Sequence, residues 1–290
     1  MGDMSPRPTG VPGTSPTLLP TAAEIAELRR VAERVANEAA AHLRTLPAPR
    51  ESGAVTTKST PTDVVTASDR EIEDLLRTRL AELRPGEPVF GEEAAGDAAA
   101  ARWVVDPIDG TVNYLYGLPW FAVSVAAVVD GVSVAGAVVE PASGRVWSAA
   151  AGQGATCDGE PLRVTDETDL SLALLGCGFA YDATRRGRQA AMIGRLLPQV
   201  RDLRRNGSAA LELCGVAAGR ADAFVEHGLG WWDWAAAALI AAEAGARVVA
   251  VSGRAGEHAG ELGGEITVVA TPGVADALVE ALSEAGAAEV

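Results

Sequence analysis

Between Thr21 and Leu46, apolar residues recur at Ile25, Leu28, Val31, Ala32, Val35 and Ala39. That near-helical period predicts an amphipathic helix, with Thr21 as its N-cap and Pro47 and Pro49 ending it. A loop rich in Ser and Thr then carries the chain to Asp69. Helical spacing returns from about Ser68 to Leu83, with Ile72, Leu75, Leu76 and Leu80 on one face, and Ser68 followed by Glu71 reads as a capping box. Trp103-Val104-Val105 is a short apolar run that reads as a buried strand. The period then changes to two: Val123, Val125 and Ala127 alternate, and Asp130-Gly131 is a hairpin signal. Val132 to Val139 forms the next strand and Arg145 to Ala149 another, after a Ser143-Gly144 turn, with a further turn at Asp158-Gly159. The pattern is an antiparallel meander.

Past residue 160 the two periods alternate. Strands are predicted at Leu172 to Cys177, Val200 to Arg204, Ala223 to Val225, Arg247 to Val251 and Ile266 to Ala270. Helices are predicted at Arg188 to Leu197, Ser208 to Ala218, Asp233 to Ala244 and Pro272 to Ala285. Gly219 and Gly245 stand where helices commonly stop, and Pro272 suits a first turn. Alternation of this kind predicts an α/β layer.

Length and composition sharpen this picture. The 290 residues suit one large domain over 21–290, with a meander half (21–160) and an α/β half (161–290). Residues 1–20 are rich in Pro, Gly, Ser and Thr and are expected to be a disordered lead-in. The net charge of −15 lacks the basic footprint of a direct nucleic-acid binder, although an acidic protein binds phosphate esters when a metal supplies positive charge. No apolar run reaches the ~20 residues of a membrane span, and the N-terminus lacks the regions of a signal peptide. Cys157, Cys177 and Cys214 match no zinc spacing and are expected to be reduced, as in a cytoplasmic protein.

The candidate chemistry centres on Asp106-Pro107-Ile108-Asp109-Gly110-Thr111. Two carboxylates three apart at a strand end supply hard oxygen ligands for a divalent cation. Pro107 stiffens the backbone and Gly110 lets it turn close to a ligand. A helix starting at Asp109 or Gly110 would offer free N–H groups to an anion. Taken alone, this stretch equally describes a capped strand-to-helix turn.

Further acidic elements stand at Gly91-Glu92-Glu93, at Thr66-Ala67-Ser68-Asp69 and at Trp231-Trp232-Asp233-Trp234. With the loop from Lys58 to Asp69, Gly207-Ser208-Ala209-Ala210 and Glu226-His227-Gly228, the set resembles the inositol monophosphatase family of magnesium-dependent, lithium-sensitive sugar phosphatases, from about Leu18 to about Leu282. The resemblance implies an α-β-α-β-α layered sandwich, a homodimer and two to three Mg²⁺ ions. It places Glu92, Asp106 and the Ile108 carbonyl on a first ion, Asp106, Asp109 and Asp233 on a second, and Glu92 near a weaker third. Asp69 and Thr111 correspond to the pair that orients the attacking water. Gly110 and Thr111 would bind phosphate through backbone N–H groups. Asp109, Gly207, Ser208, Ala209 and Glu226 would face the substrate. Lys58, the single lysine beside 23 arginines, keeps the family's loop position, where the planar head of Arg suits the site less well. His42 and His258 read as surface residues, and His227 as a residue near the site mouth. The three tryptophans around Asp233 either narrow the pocket or pack the sheet. The expected substrate is a small phosphate ester, foremost myo-inositol monophosphate. Histidinol phosphate, fructose bisphosphate or a nucleotide 3′-phosphate are the alternatives, and a non-catalytic regulator on the same fold is a further one.

Overall fold

The computed structural model describes residues 20–47, 55–57, 64–94, 96–254 and 259–290. Almost all of the expected lead-in, Lys58, Asp63 and His258 lie outside the described residues. Helix α1 (Ala22–Leu43) begins as expected: the Thr21 side chain accepts from Glu24 N, and Glu24 reaches back to Thr21 N at 2.7 Å. A ribbon of β1 (Val55–Thr57) and β2 (Val64–Thr66), paired antiparallel, stands where an irregular loop was expected. Helix α2 (Ala67–Leu83) starts earlier than expected, and its capping box is Thr66 with Asp69, not Ser68 with Glu71. Glu71 instead lies 2.7 Å from the exposed His42 on α1.

The large sheet runs in the order β3 (Val89–Gly91), β4 (Trp103–Asp109), β5 (Ala122–Val129), β6 (Val132–Val139), β7 (Val146–Ala150), β8 (Ala155–Cys157) and β9 (Glu160–Pro161). From β4 onward it is the expected antiparallel meander, while β3 lies parallel to β4. Asp130 and Gly131 both take positive φ, 49° and 75°, at the β5–β6 hairpin, which the twist of a two-residue turn requires. Short helix α3 (Thr111–Tyr116) sits between β4 and β5.

The second sheet follows the order β11 (Asp202–Arg204), β10 (Leu174–Cys177), β12 (Ala223–His227), β14 (Ile266–Ala270) and β13 (Arg247–Ala250). Helix α4 (Ala183–Leu196) starts five residues before the sequence suggested, capped by Asp182, because its first turns are mostly exposed and show no apolar period. The other helices are α5 (Ala209–Ala217), α6 (Trp231–Glu243), α7 (Ala259–Leu262) and α8 (Pro272–Glu284).

Three apolar clusters join these parts into five layers. One lies between α1 with α2 and the outer face of the large sheet. A second lies between the inner face and α5 with α6, and takes Phe224 and Val269 from the second sheet. The third holds α4 and α8 against the far face of that sheet. This is the α-β-α-β-α sandwich. Strand β5 is buried along its length and alternates accordingly: Val123 and Val125 face α1, Ala122 and Ala126 face α6. The small residues let α6 approach closely. A Cβ at Gly136 would sit 3.0 Å from both Cα and Cβ of Ala236, and these rigid atoms cannot move aside. Gly136→Ala is therefore expected to cost about 1–3 kcal/mol, read as a lower urea midpoint at unchanged m-value. A wild-type midpoint would show that the helix–sheet spacing is not set here.

Candidate active site

Residues 106 and 109 are three apart, so in a regular strand they would point to opposite faces. A bulge in β4 changes this: Asp106 pairs with Ser124 and Asp109 with Ala122, three steps on one strand against two on the other. Both aspartates thereby reach the same side. Asp106 Oδ1 accepts from Ile108 N at 2.9 Å, while its buried Oδ2 has no hydrogen-bond partner. Asp109 accepts from Ser208 Oγ at 2.5 Å, Ala210 N at 2.7 Å and Ala209 N at 3.2 Å, so it caps the N-terminus of α5. Asp233 lies in the first turn of α6 and accepts from Gly230 N at 2.6 Å. Carboxylate oxygens of Asp106, Asp109 and Asp233 all fall within 4.8 Å of one another. Glu92 follows β3 and borders the same cavity.

So many buried carboxylates repel. Burial, then Glu92, Asp109 and Asp233, hold the Asp106 carboxyl well above the usual carboxylate range. Burial and the charges of Asp109, Glu92 and Glu226 do the same to Asp233. Asp109 is pushed up to about 6 by burial, which outweighs its three hydrogen bonds from α5. The residues fit a hard divalent cation on two grounds. The donor set is all oxygen, and the buried Asp106 Oδ2 lacks a hydrogen-bond partner among carboxylates whose crowding a cation would relieve. Asp109 Oδ2 spends both lone pairs on Ser208 Oγ and Ala210 N, whereas Oδ1 keeps one beyond its bond from Ala209 N, so capping and ligation are compatible through Oδ1.

Thr111 Oγ1 lies 3.1 Å from both Asp69 Oδ1 and the Ile108 carbonyl. Asp69 is fully buried, and its other oxygen accepts from Thr66 N and Thr66 Oγ1 at 2.8 and 2.5 Å. Helix capping thus aims Asp69 at Thr111. With its one proton given to Asp69, the Thr111 oxygen can accept from a water. Gly110 caps α3 at φ 98°, and a Cβ there would come 3.0 Å from Gly207 O and 3.1 Å from Trp120 O. Asn113, not singled out from the sequence as a site residue, ties these loops together by donating to Trp120 O and Asn206 O at 2.6 and 2.7 Å.

The cavity measures about 510 Å³. Glu92, Asp106, Ile108, Asp109, Gly110, Thr111, Gly207, Ser208, Ala209, Glu226 and Asp233 all border it. Asp69 lies behind Thr111. Glu226 occupies the space a side chain at 178 would need, since a Cβ on Gly178 would fall 1.8 Å from its Oε2. Burial pushes the Glu226 carboxyl up to about 8 against the opposing charge of Arg205. Glu212, also on the wall, accepts from Asn206 N at 2.9 Å and is raised to about 7, again mainly by burial. Neither Arg205 nor Glu212 was expected here, although one Glu inside the otherwise apolar α5 is a readable signal. His227 touches the cavity, but its Nε2 lies 3.1 Å from Ala287 O, turned toward the C-terminal layer. Trp232 lines the cavity and packs on Phe90 with tilted rings 5.7 Å apart, whereas Trp231 and Trp234 pack under Arg254. The tryptophans therefore do both things that the sequence left open.

A family model described as the inositol monophosphatase family matches residues 24–287. The chain belongs to the inositol monophosphatase family. It is similar to an inositol-1-monophosphatase of Mycobacterium leprae, 54% identical over 276 residues, covering 88% of this chain and 93% of that one. Among solved structures it is similar to Mycobacterium tuberculosis SuhB, with a TM-score of 0.75 and 47% identity, covering 91% of this chain and 98% of that one. A Pasteurella multocida protein named Nus factor SuhB is 39% identical over 202 residues, 68% of this chain and 76% of that one. Membership in this family agrees with the layered fold and with the cavity where the motif residues meet.

Proposed function

We propose that this chain is a Mg²⁺-dependent phosphoric monoester hydrolase acting on myo-inositol monophosphate. The observation that carries the reading is the cluster of Asp106, Asp109 and Asp233, whose oxygens lie close enough together to hold a divalent cation. Glu92, Asp106 and the Ile108 carbonyl would hold one ion, Asp106, Asp109 and Asp233 a second, and Glu92 a weaker third. Bound Mg²⁺ supplies Lewis acidity toward the phosphoryl oxygens and lowers the pKa of water. The chain's own groups do the rest. Thr111, oriented by Asp69, accepts a hydrogen bond from the attacking water and fixes its lone pair toward phosphorus. Backbone N–H groups of Gly110 and Thr111 hold phosphate, and by family likeness Lys58 also serves the site. Glu226 and Asp109 read substrate hydroxyls, with Gly207, Ser208 and Ala209 beside the ring. Family likeness supports inhibition by Li⁺ and a homodimer. The three free cysteines agree with a cytoplasmic setting.

Recognition separates from chemistry at Glu226. A hydrogen bond to a charged acceptor is worth roughly 1.5–3 kcal/mol. Above pH 8, where Glu226 is charged, Glu226→Gln is thus expected to lower kcat/KM for inositol 1-phosphate by about one to two orders of magnitude, and far less for an aryl phosphate. Equal losses on both substrates would move Glu226 into the catalytic or structural core. No loss on either would favour a different sugar phosphate as substrate.

The Pasteurella multocida relative's name favours a second reading, a regulatory protein on the same fold. The full set of carboxylates speaks for hydrolysis, since regulation alone gives no reason to gather four acids around one cavity, two of them buried.

A further inference from the structure

We propose that Glu73 is a positioning residue for Glu92, and so for the metal site, an inference that rests on the assignment of Glu92 above. Glu73 lies on α2, one turn after Asp69, and is 1% exposed. Its Oε2 accepts from Glu93 N at 2.7 Å and its Oε1 from Ala94 N at 3.0 Å. Before Glu92, β3 is fixed by pairing with β4, Gly91 opposite Val105. Glu92 therefore hangs between two anchors: a strand ladder on one side and the Glu73 carboxylate on the other.

The close approach is built into the sequence. A Cβ at Gly91 would fall 2.6 Å from Glu73 Oε1, so any larger residue there pushes Glu73 off the turn. Arg77, 2.7 Å from Glu73 Oε1, offsets the cost of burying a further negative charge beside the cluster, and also donates to Val89 O at 2.9 Å. One face of α2 thus serves the site twice. Asp69 aims Thr111, and Glu73 sets the backbone that aims Glu92. A turn held at only one end would let Glu92 swing away from Asp106.

The test separates position from stability. Mg²⁺ binding to chelator-stripped protein is measured by calorimetry for wild type, Glu73→Gln, Arg77→Gln and Gly91→Ala, with thermal melts in chelator alongside. Removal of a group that orients a metal ligand typically weakens affinity about 10–100-fold. Glu73→Gln, which keeps the volume but turns one acceptor into a donor facing an N–H, is expected to weaken Mg²⁺ binding about tenfold or more. Gly91→Ala is expected to act in the same direction, and carries the test if Glu73→Gln does not fold. Arg77→Gln breaks the ion pair yet leaves both N–H bonds. It is expected to melt lower while binding Mg²⁺ within about twofold of wild type. Wild-type affinity in Glu73→Gln overturns the proposal. So does an equal loss in Arg77→Gln, because affinity would then follow helix stability. A wild type that binds no Mg²⁺ overturns the assignment of Glu92 itself, and this inference with it.

Discussion

Asp106→Asn is expected to abolish turnover while leaving the metal-free protein as stable as wild type, or more so. The first half follows from ligation. Asp106 is assigned to both principal ions, and loss of a ligand shared by two metals removes several kcal/mol of charge stabilisation in the transition state. At about 1.4 kcal/mol per decade, kcat falls by about three orders of magnitude or more. The second half follows from the crowding of carboxylates. Asp106 is held well above the usual range because its charged form is unfavourable among Glu92, Asp109 and Asp233. Asn cannot take that charge, and its Oδ1 can still accept from Ile108 N. A substitution that only broke packing would lower both activity and melting temperature. The measurement pairs phosphate release with melting in excess chelator. A large drop in melting temperature would refute the electrostatic account, and near-normal turnover at saturating Mg²⁺ would refute the ligand assignment.

Divalent metal is expected to stabilise the protein most at the alkaline end of its range. A carboxyl whose folded pKa is raised binds its proton more tightly when folded. Its contribution therefore declines as pH rises from the unfolded value toward the folded one. Glu212 at about 7 and Glu226 at about 8 place this decline across neutrality. His227 has the opposite sign: burial lowers it to about 4, so it weakens the fold only as pH falls below about 6.5. Between pH 6.5 and 8.5 the raised carboxyls act in one direction, joined near the top by the buried thiols, and the melting temperature in chelator should fall. Saturating Mg²⁺ at 100 times its Kd adds about 2.7 kcal/mol. For a chain of this size that is on the order of 5–10 °C. At a fixed Mg²⁺ concentration the added increment should grow from pH 6.5 to 8.5, because protons compete with metal for the raised carboxyls of Asp106, Asp109 and Asp233. A metal-induced shift that is absent, or larger at pH 6.5, would contradict the cluster as described.

Features of the sequence that repeat or alternate proved readable. The α1 period, the Thr21 cap, the Asp130-Gly131 hairpin and the Ser208 cap stand where local chemistry puts them. The motif residues from Glu92 to Asp233 could be expected at one site because their combined order resembles a known family, no single piece being specific, and they border one cavity. Features decided by tertiary contact could not be read. Thr66 with Asp69 and Ser68 with Glu71 fit the same capping pattern, and only the position of Thr111 favours the first. Strand β3 is three residues long and exists through its pairing with β4. The Asp106–Asp109 bulge has no local mark beyond Pro107. Glu73 looks like any acid on a helix until the turn after β3 folds onto it. Lys58 lies outside the described residues, so its part in the site rests on resemblance alone.

The most direct measurement is phosphate release from inositol 1-phosphate by the wild-type chain, titrated with Mg²⁺ and then with excess chelator. The account predicts release that rises with Mg²⁺ to saturation and disappears when the metal is withdrawn. Release that persists in excess chelator would contradict it. So would an absence of release from inositol 1-phosphate and other phosphate monoesters at every Mg²⁺ concentration.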